Sequence, residues 1–193
     1  MCAASVVAVL GACSGLPWAE RDAQLYSPVN GGVRVGQIGL AGGDSLTEGS
    51  IPVCVDVAGS VSITSVEPVE PLNGLSVTAF AVRTIPVGVT PLGDARGGLS
   101  AMGLDPEQQK VRTVSNICGE QSRANVGLDG PPPSGAVDER VELVVTVTAT
   151  TVPAGAEALR IRYTDASGDE RSTTSAFGIY MCPGEIGDAC PAE

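Results

Sequence analysis

The chain of 193 residues contains no histidine. Histidine is the commonest general base and the usual imidazole ligand of catalytic zinc and blue-copper sites. Its absence excludes those sites together with Ser-His-Asp and Cys-His nucleophile systems. A Ser-Lys dyad would have to use Lys110, the only lysine, and no Ser-x-x-Lys motif surrounds it. We therefore expect a protein that is not an enzyme and that uses no metal or cofactor.

Aromatic and basic residues are also scarce. Aromatics make up 3% of the chain, and 22 acidic residues against 11 basic ones give a net charge of −11. Sugar-binding clefts usually present aromatic side chains, so glycoside hydrolysis by paired carboxylates is the least favoured hypothesis. An acidic surface repels phosphate backbones and anionic headgroups, so we expect no nucleic-acid partner and no electrostatic docking on lipid.

The N-terminus carries an uncharged apolar run, residues 3–10, that leads into Leu10-Gly11-Ala12-Cys13. Its length is typical of a secretory signal, about 7–15 residues, and is below the roughly 20 residues needed to cross a bilayer. The tetrapeptide resembles the lipobox of bacterial lipoproteins, whose cysteine is acylated and becomes the new N-terminus. The resemblance implies a signal peptide over residues 1–12, lipid attachment at Cys13 and a location at the outer face of the cytoplasmic membrane. The alternative is an apolar N-terminus in which Cys13 is a buried thiol.

The rest of the chain is long enough for one domain with a substantial core. Glycine and proline mark both ends of the stretch that follows Cys13. We therefore expect an acylated cysteine and flexible tether over residues 13–32 and a single domain over residues 33–193. Frequent Ala, Val, Gly and Pro, with ten arginines to one lysine, suggest a GC-rich genome and fit an actinobacterial-type lipoprotein.

Four cysteines lie in the expected domain: Cys54, Cys118, Cys182 and Cys190. An even number in an exported protein predicts two disulfides, with three possible connectivities. The preferred pairing is Cys54–Cys118 with Cys182–Cys190, and on the chain-entropy model these loops would contribute about 4 and about 2.5 kcal/mol respectively. The alternative is four reduced thiols in a cytosolic protein.

Period-2 alternation of apolar residues recurs along the chain and predicts strands. The runs lie in residues 33–40, 53–57, 61–66, 75–81, 141–149, 159–163 and 177–181. Asn73-Gly74 and Ser167-Gly168-Asp169 predict turns, and Asp105-Pro106-Glu107-Gln108 predicts a short helix with an acidic N-cap. Residues 83–103 and 119–137 are expected to be long connections. Seven to nine strands at this spacing indicate an all-β, antiparallel sandwich with at most one short helix.

The last third of the chain resembles the end of an immunoglobulin-like domain, with strands at 159–163 and 177–181 after the Pro153 region. No tryptophan lies between Cys54 and Cys118, and Cys54 falls on the opposite strand face from Val53 and Val55. A buried bridge of the antibody type is therefore not expected, and a bridge near an edge or rim fits the alternation better.

Asp165, Asp169 and Glu170 crowd the predicted hairpin, where we expect solvated turn carboxylates rather than a calcium site, because the EF-hand pattern is absent. The favoured function is a non-catalytic interaction or accessory module that docks on an envelope or membrane protein complex. The alternative is a small-ligand-binding lipoprotein that would serve a transporter, with a pocket of a few hundred Å³ lined by residues 83–103 and 119–137. A carboxylate hydrolase is the third hypothesis.

Overall fold

The computed structural model of the protein describes residues 21–29, 33–37, 39–86, 93–125, 127, 129–130 and 140–184. About half of the chain is strand, one short α-helix is present among the described residues, and several antiparallel sheets pack together. The predicted all-β class is confirmed. The strands are β1 (Leu25–Tyr26), β2 (Val33–Gln37), β3 (Ser45–Pro52), β4 (Cys54–Val55), β5 (Val61–Val69), β6 (Ser76–Ile85), β7 (Asp94–Arg96), β8 (Thr113–Val114), β9 (Arg140–Thr148), β10 (Ala154–Ala156), β11 (Ala158–Thr164), β12 (Glu170–Ser175) and β13 (Phe177–Met181).

Two four-stranded sheets form the main layers. The first sheet has the order β6-β9-β3-β7 and the second has the order β12-β11-β5-β8, with every neighbouring pair antiparallel. A three-stranded sheet, β10-β13-β2, continues the second one, because single residues separate β10 from β11 and β12 from β13. In it, β13 runs antiparallel to β10 and parallel to β2. Apolar side chains from all of these sheets share one core, which includes Leu46, Leu143, Ile161 and Ile179.

Strand β9 lies inside the first sheet and is buried on both faces. Val145 and its alternate neighbours enter the main core, whereas Val144 on the other face packs in a second cluster with Leu99, Met102 and Leu104. That cluster includes a 3₁₀ helix over Leu99–Met102, within the stretch predicted as a long connection. The alternation in β9 therefore marks two buried faces rather than a buried face and a solvated one.

A β-bulge interrupts β3 after Glu48. Glu48 lies opposite Val145 and Ile51 lies opposite Leu143, so three steps along β3 match two steps along β9. Ser50, inside the bulge, adopts a left-handed conformation with φ of 57°. The extra residue reverses the faces of the residues that follow it, which lets both Leu46 and Ile51 enter the core although they are five residues apart.

Residues 21–29 fall within the predicted tether, yet they pack on the sandwich. Ala23 and Leu25 belong to the core, and β1 pairs with β4. The folded domain therefore includes part of the segment expected to be flexible. Cys13 lies outside the described residues.

The alternation predicted around β4 is wrong. Val53, Cys54, Val55 and Asp56 are all buried, because this short segment is covered by β1 on one side and contacts the Ile117–Cys118 segment on the other. The predicted disulfide between Cys54 and Cys118 is confirmed, with a Cα–Cα distance of 5.0 Å. It lies outside the four-stranded sheets, as a rim bridge would, but both cysteines are buried.

Cys182 also forms a disulfide. Its predicted partner, Cys190, lies outside the described residues, so the Cys182–Cys190 pairing stays a prediction.

The predicted helix at residues 105–108 forms a 3₁₀ helix over Gln108–Lys110 instead. Its start has the expected cap: Asp105 Oδ1 accepts hydrogen bonds from the backbone N–H groups of Glu107 and Gln108, and Gln108 Oε1 accepts one from the Asp105 N–H. The α-helix, α1 (Glu120–Asn125), lies in a stretch predicted as a connection. Within the described part of the chain, no helix has the length and apolarity needed to span a membrane.

The hairpin between β11 and β12 turns as predicted, but Asp165 is not a solvated acid. It is 6% exposed, and its Oδ1 accepts hydrogen bonds from the Ser167 hydroxyl, the Ser167 N–H and the Asp169 N–H. Arg171 Nε donates to its Oδ2 at 2.7 Å. The hydrogen bond from Ser167, together with Arg171 and the Asp169 N–H, lowers the pKa of Asp165 although burial opposes the shift. Asp165 thus organises the turn, whereas the neighbouring Asp169 side chain is 74% exposed.

Replacing both Cys54 and Cys118 by alanine should lower the free energy of unfolding. The bridge closes a loop with a sequence separation of 64, for which the chain-entropy model gives about 4 kcal/mol. Urea unfolding of the oxidised wild type and the double variant would measure the difference, and peptide mass mapping would verify that Cys182 stays oxidised in both. An unchanged midpoint would contradict a stabilising role.

Replacing Asp165 by asparagine should lower the Tm at pH 7 by about 5 °C. Because the folded-state pKa lies below the ordinary value of 3.8, the ionised carboxylate stabilises the fold above that pH. Its contribution is lost as the pH falls through the lowered pKa. Thermal unfolding from pH 7 down to pH 2 should therefore show the wild type and Asp165→Asn converging in acid. Asp169→Asn, in the same turn but exposed, should match the wild type throughout.

Candidate functional site

A cavity of about 670 Å³ opens between the β3–β7 edge of the first sheet and strands β2 and β13. Its lining includes Glu48, Ser50, Asp94, Arg140 and Phe177, together with Val29 and neighbouring small residues. Asp94 belongs to the 83–103 stretch that the sequence proposed as a pocket wall. The cavity therefore has the size and the mixed polar and apolar lining that small-ligand sites have.

Glu48 is the unusual group in this cavity. Its side chain is 1% exposed, and no hydrogen bond to its carboxyl group is found among the described residues. Burial raises the pKa of Glu48 to about 9, with further contributions from the negative charges of Asp94 and Glu142, while Arg83 opposes the shift. Glu48 is therefore a neutral carboxylic acid at pH 7.

Asp94 is the cross-strand neighbour of Glu48. The two residues are directly opposite each other in the antiparallel β3–β7 pair, a position that places Cβ atoms about 5 Å apart on the same face. Asp94 is exposed, whereas Glu48 is buried. The cavity wall thus contains a buried, protonated acid and, directly opposite it, an exposed acid, and Ser50 and Arg140 are further polar groups in the same wall.

The buried Glu142, next to this cavity, is compensated in a way that Glu48 is not. Arg83 donates to Glu142 Oε2 from Nη2 at 3.1 Å and from Nε at 3.3 Å. The Ser50 N–H donates to the same oxygen at 3.3 Å, and Arg140 Nε lies 2.7 Å from Oε1 without the alignment of a hydrogen bond. Glu142 therefore lies inside an ion-pair cluster that joins β3, β6 and β9.

A second cavity, also about 670 Å³, lies beside Cys54, Asn116 and the start of α1. It shares Pro28, Pro52 and Arg140 with the first cavity, so the two are adjacent. Its wall contains part of the 119–137 stretch, as the ligand-binding hypothesis expected. A third cavity of about 450 Å³ lies beside Arg83 and Thr113. We take the first cavity as the candidate site because it contains the uncompensated buried acid.

The sequence-predicted sites fall elsewhere. Cys54 lies in the wall of the second cavity and is bonded to Cys118. Cys182 is disulfide-bonded but does not line the candidate site, and Cys13 and Cys190 are not in the described part. Across the described ranges, no group of three or more Cys, Asp or Glu residues is arranged to hold a metal ion. Sequence reasoning did not single out Glu48 or Asp94. The sequence did contain one indication of Glu48. It is an acid in a stretch of β-forming residues, directly before Gly49-Ser50, where the alternation of apolar residues changes phase.

Replacing Glu48 by glutamine should make stability less dependent on pH. The unfolded carboxyl ionises near 4.5 and the folded one near 9, so between these values the folded state holds an extra proton. Wild-type stability should therefore fall as the pH rises, by at most about 1.4 kcal/mol per pH unit. Urea unfolding from pH 5 to 9 should show this slope in the wild type and a flatter profile in Glu48→Gln. Glu170→Gln, at an exposed position, should retain the slope, and parallel profiles for all three proteins would refute the assignment.

Comparisons with protein families, curated proteins and solved structures return no match. No family model matches the chain, and neither a curated protein nor a solved structure resembles it significantly. The candidate site is therefore defined by its own geometry and charge.

Proposed function

We propose that this protein is a lipid-anchored, extracytoplasmic β-sandwich that acts as a non-catalytic interaction or accessory module at the cell envelope. The observation that carries the proposal is the buried Cys54–Cys118 disulfide. Disulfides persist in oxidising compartments and are rare in the cytosol of most organisms. Export of the domain agrees with the lipobox-like Leu10-Gly11-Ala12-Cys13 and with attachment through lipid on Cys13.

The strand order supports an immunoglobulin-like arrangement. In immunoglobulin domains, strands B, E and D are neighbours in one sheet and C, F and G in the other. Here β3, β9 and β6 are neighbours in that order, and β5 pairs with β11, which pairs in turn with β12. The Cys54–Cys118 bridge departs from the antibody pattern, because Cys118 lies between β6 and β9 rather than on the strand in the F position. Sandwich domains of this kind are common on cell surfaces, where their loops bind partners.

Membrane attachment would come from acyl chains rather than from charge. The net charge of −11 disfavours anionic headgroups, whereas two or three acyl chains hold a protein stably on a bilayer. The partner in this proposal is a protein or protein complex of the envelope, within reach of a domain held close to the membrane.

Membrane-extracted wild-type protein should begin at Cys13 and carry the mass of attached acyl chains, while Cys13→Ser should leave the membrane fraction. The reason is that only the cysteine thiol accepts the lipid in the lipoprotein family that the motif resembles. Intact-mass spectrometry of both forms provides the measurement. An unmodified species that still begins at Met1 would contradict the anchoring.

The interaction role is tested by crosslinking in intact cells, with an unrelated domain fused to residues 1–32 as the control. A partner enriched over this control and lost in Cys13→Ser would support the proposal. Equal recovery with the control domain would contradict it.

The second candidate function is small-ligand binding in the service of a transporter. The observation that favours it is the cavity of about 670 Å³ with Glu48 in its wall. A buried acid without a hydrogen-bond partner in the described chain is costly for stability alone, and a ligand that donates to it would remove that cost.

A further inference from the structure

Resting on the second candidate function, we propose that the cavity between β3–β7 and β2–β13 binds a small organic ammonium ion. Its amino group would sit between Glu48 and Asp94, and its apolar part would lie against Phe177. The inference names the chemical class of ligand, which the proposed function leaves open.

The first step is the state of Glu48. Its side chain is 1% exposed and lines the cavity, and none of the described residues forms a hydrogen bond with its carboxyl group. The equally buried Glu142 shows that this sheet can supply such partners, since Arg83 and the Ser50 N–H both donate to it. The missing partners of Glu48 therefore point to a donor that comes from outside the fold.

The second step is the charge of that donor. Once Glu48 ionises, the cavity wall holds two carboxylates, Glu48 and Asp94, at directly opposite positions of β3 and β7. Arg83 and Arg140 offset this charge only in part, because both are paired with a third carboxylate, Glu142. Three carboxylates then face two guanidinium groups, and the Arg83 charge only partly opposes the raised pKa of Glu48. A positive ligand would relieve both the repulsion between the carboxylates and the cost of burying Glu48.

The third step separates an organic cation from a metal ion. Ca²⁺ usually takes about six to eight oxygen ligands. The side chains of this cavity wall offer two carboxyl groups and the Ser50 hydroxyl, together with the Arg140 guanidinium and the apolar surface of Phe177 and Val29. An aromatic ring and aliphatic walls suit an alkylammonium ion, which gains from contact with a ring face and from burial of its carbon atoms.

Binding would release a proton. The empty site holds Glu48 as a neutral acid, and entry of the ammonium ion breaks its O–H bond, leaving a carboxylate and sending the proton to solvent. The charged groups around Glu48 among the described residues are Asp94 on β7, Glu142 and Arg140 on β9, and Arg83 on β6. Affinity should therefore rise as the pH approaches the pKa of Glu48, by up to about tenfold per pH unit between pH 6 and 8.

The experiment titrates the full-length protein with four probes: butylammonium, 1-butanol, butyrate and Ca²⁺. Calorimetry at pH 6, 7 and 8, in buffers with different ionisation enthalpies, gives the affinity and the number of protons released. Amide shifts in ¹⁵N spectra locate the site. The expected result is that butylammonium binds at least tenfold more tightly than butanol, releases close to one proton at pH 7 and shifts resonances of β3, β7 and β13.

Two variants give the structural control. Glu48→Gln should lose at least tenfold in butylammonium affinity and lose its pH dependence, while Glu170→Gln should behave like the wild type. Preferential binding of butanol, butyrate or Ca²⁺ would overturn the ammonium proposal and leave ligand binding in place. If none of the four probes shifts an amide resonance of the cavity residues, both the ammonium proposal and ligand binding at this cavity would be overturned.

Discussion

Burial of the Glu142 carboxylate inside the first sheet is the interaction on which the neighbouring geometry depends. A charge in this position needs partners from every side. Arg83 on β6, Arg140 on β9 and the Ser50 N–H on β3 provide them. The last of these partners is available because the bulge places Ser50 in a left-handed conformation. Three strands are thus joined at one carboxylate. The hydrogen bond from the Ser50 N–H to Glu142 stabilises the bulge in β3, and the bulge in turn supplies one of the partners of the buried carboxylate.

The bulge also determines which residues of β3 face the core on either side of it. Before it, Leu46 enters the core and Glu48 lies on the same face, and after it Ile51 takes up the core position. A regular strand could bury Leu46 or Ile51 on that face but not both, because residues at odd spacing point to opposite sides. Glu48 is therefore kept on the interior side of the sheet by the packing of its neighbours. It lies there without the partners that Glu142 has, so the same sheet buries one acid inside an ion-pair cluster and another as a neutral carboxylic acid.

Sequence reasoning succeeded where one face of a strand meets water and failed where both faces are covered. The alternation of Leu159, Ile161 and Tyr163 matches the burial of β11, because the residues between them are exposed. In β9 the same alternation hides a second buried face, since its cover comes from Leu99 and Met102, some forty residues earlier. The cap formed by Asp105 was also predicted correctly, because it depends only on residues that are close in sequence.

The candidate site could not be predicted from the alternation of apolar residues or from local sequence patterns. The cavity joins β3 and β7 to β13, three segments separated by long stretches of chain. Glu48 becomes unusual only when Phe177 and Asp94 are brought beside it. The apolar periodicity of the sequence does not reveal that Glu48, Asp94 and Phe177 lie close together. The odd spacing between Leu46 and Ile51 did contain evidence for the bulge. The Cys54–Cys118 pairing was the preferred one of the three connectivities that the sequence left open, whereas the burial of both cysteines depends on β1 covering β4.

The position of β1 also constrains how an anchored domain would sit. Asp56 accepts a hydrogen bond from the Gln24 N–H at 2.8 Å and forms an ion pair with Arg21, so the chain is fixed to the domain from about residue 21. If Cys13 carries lipid, eight residue steps separate the anchor from this fixed point, a reach of at most about 28 Å. A tether ending at residue 32 would have allowed more than twice that distance. The shorter reach holds the sandwich within about its own diameter of the bilayer, so an envelope partner must present its binding surface close to the membrane.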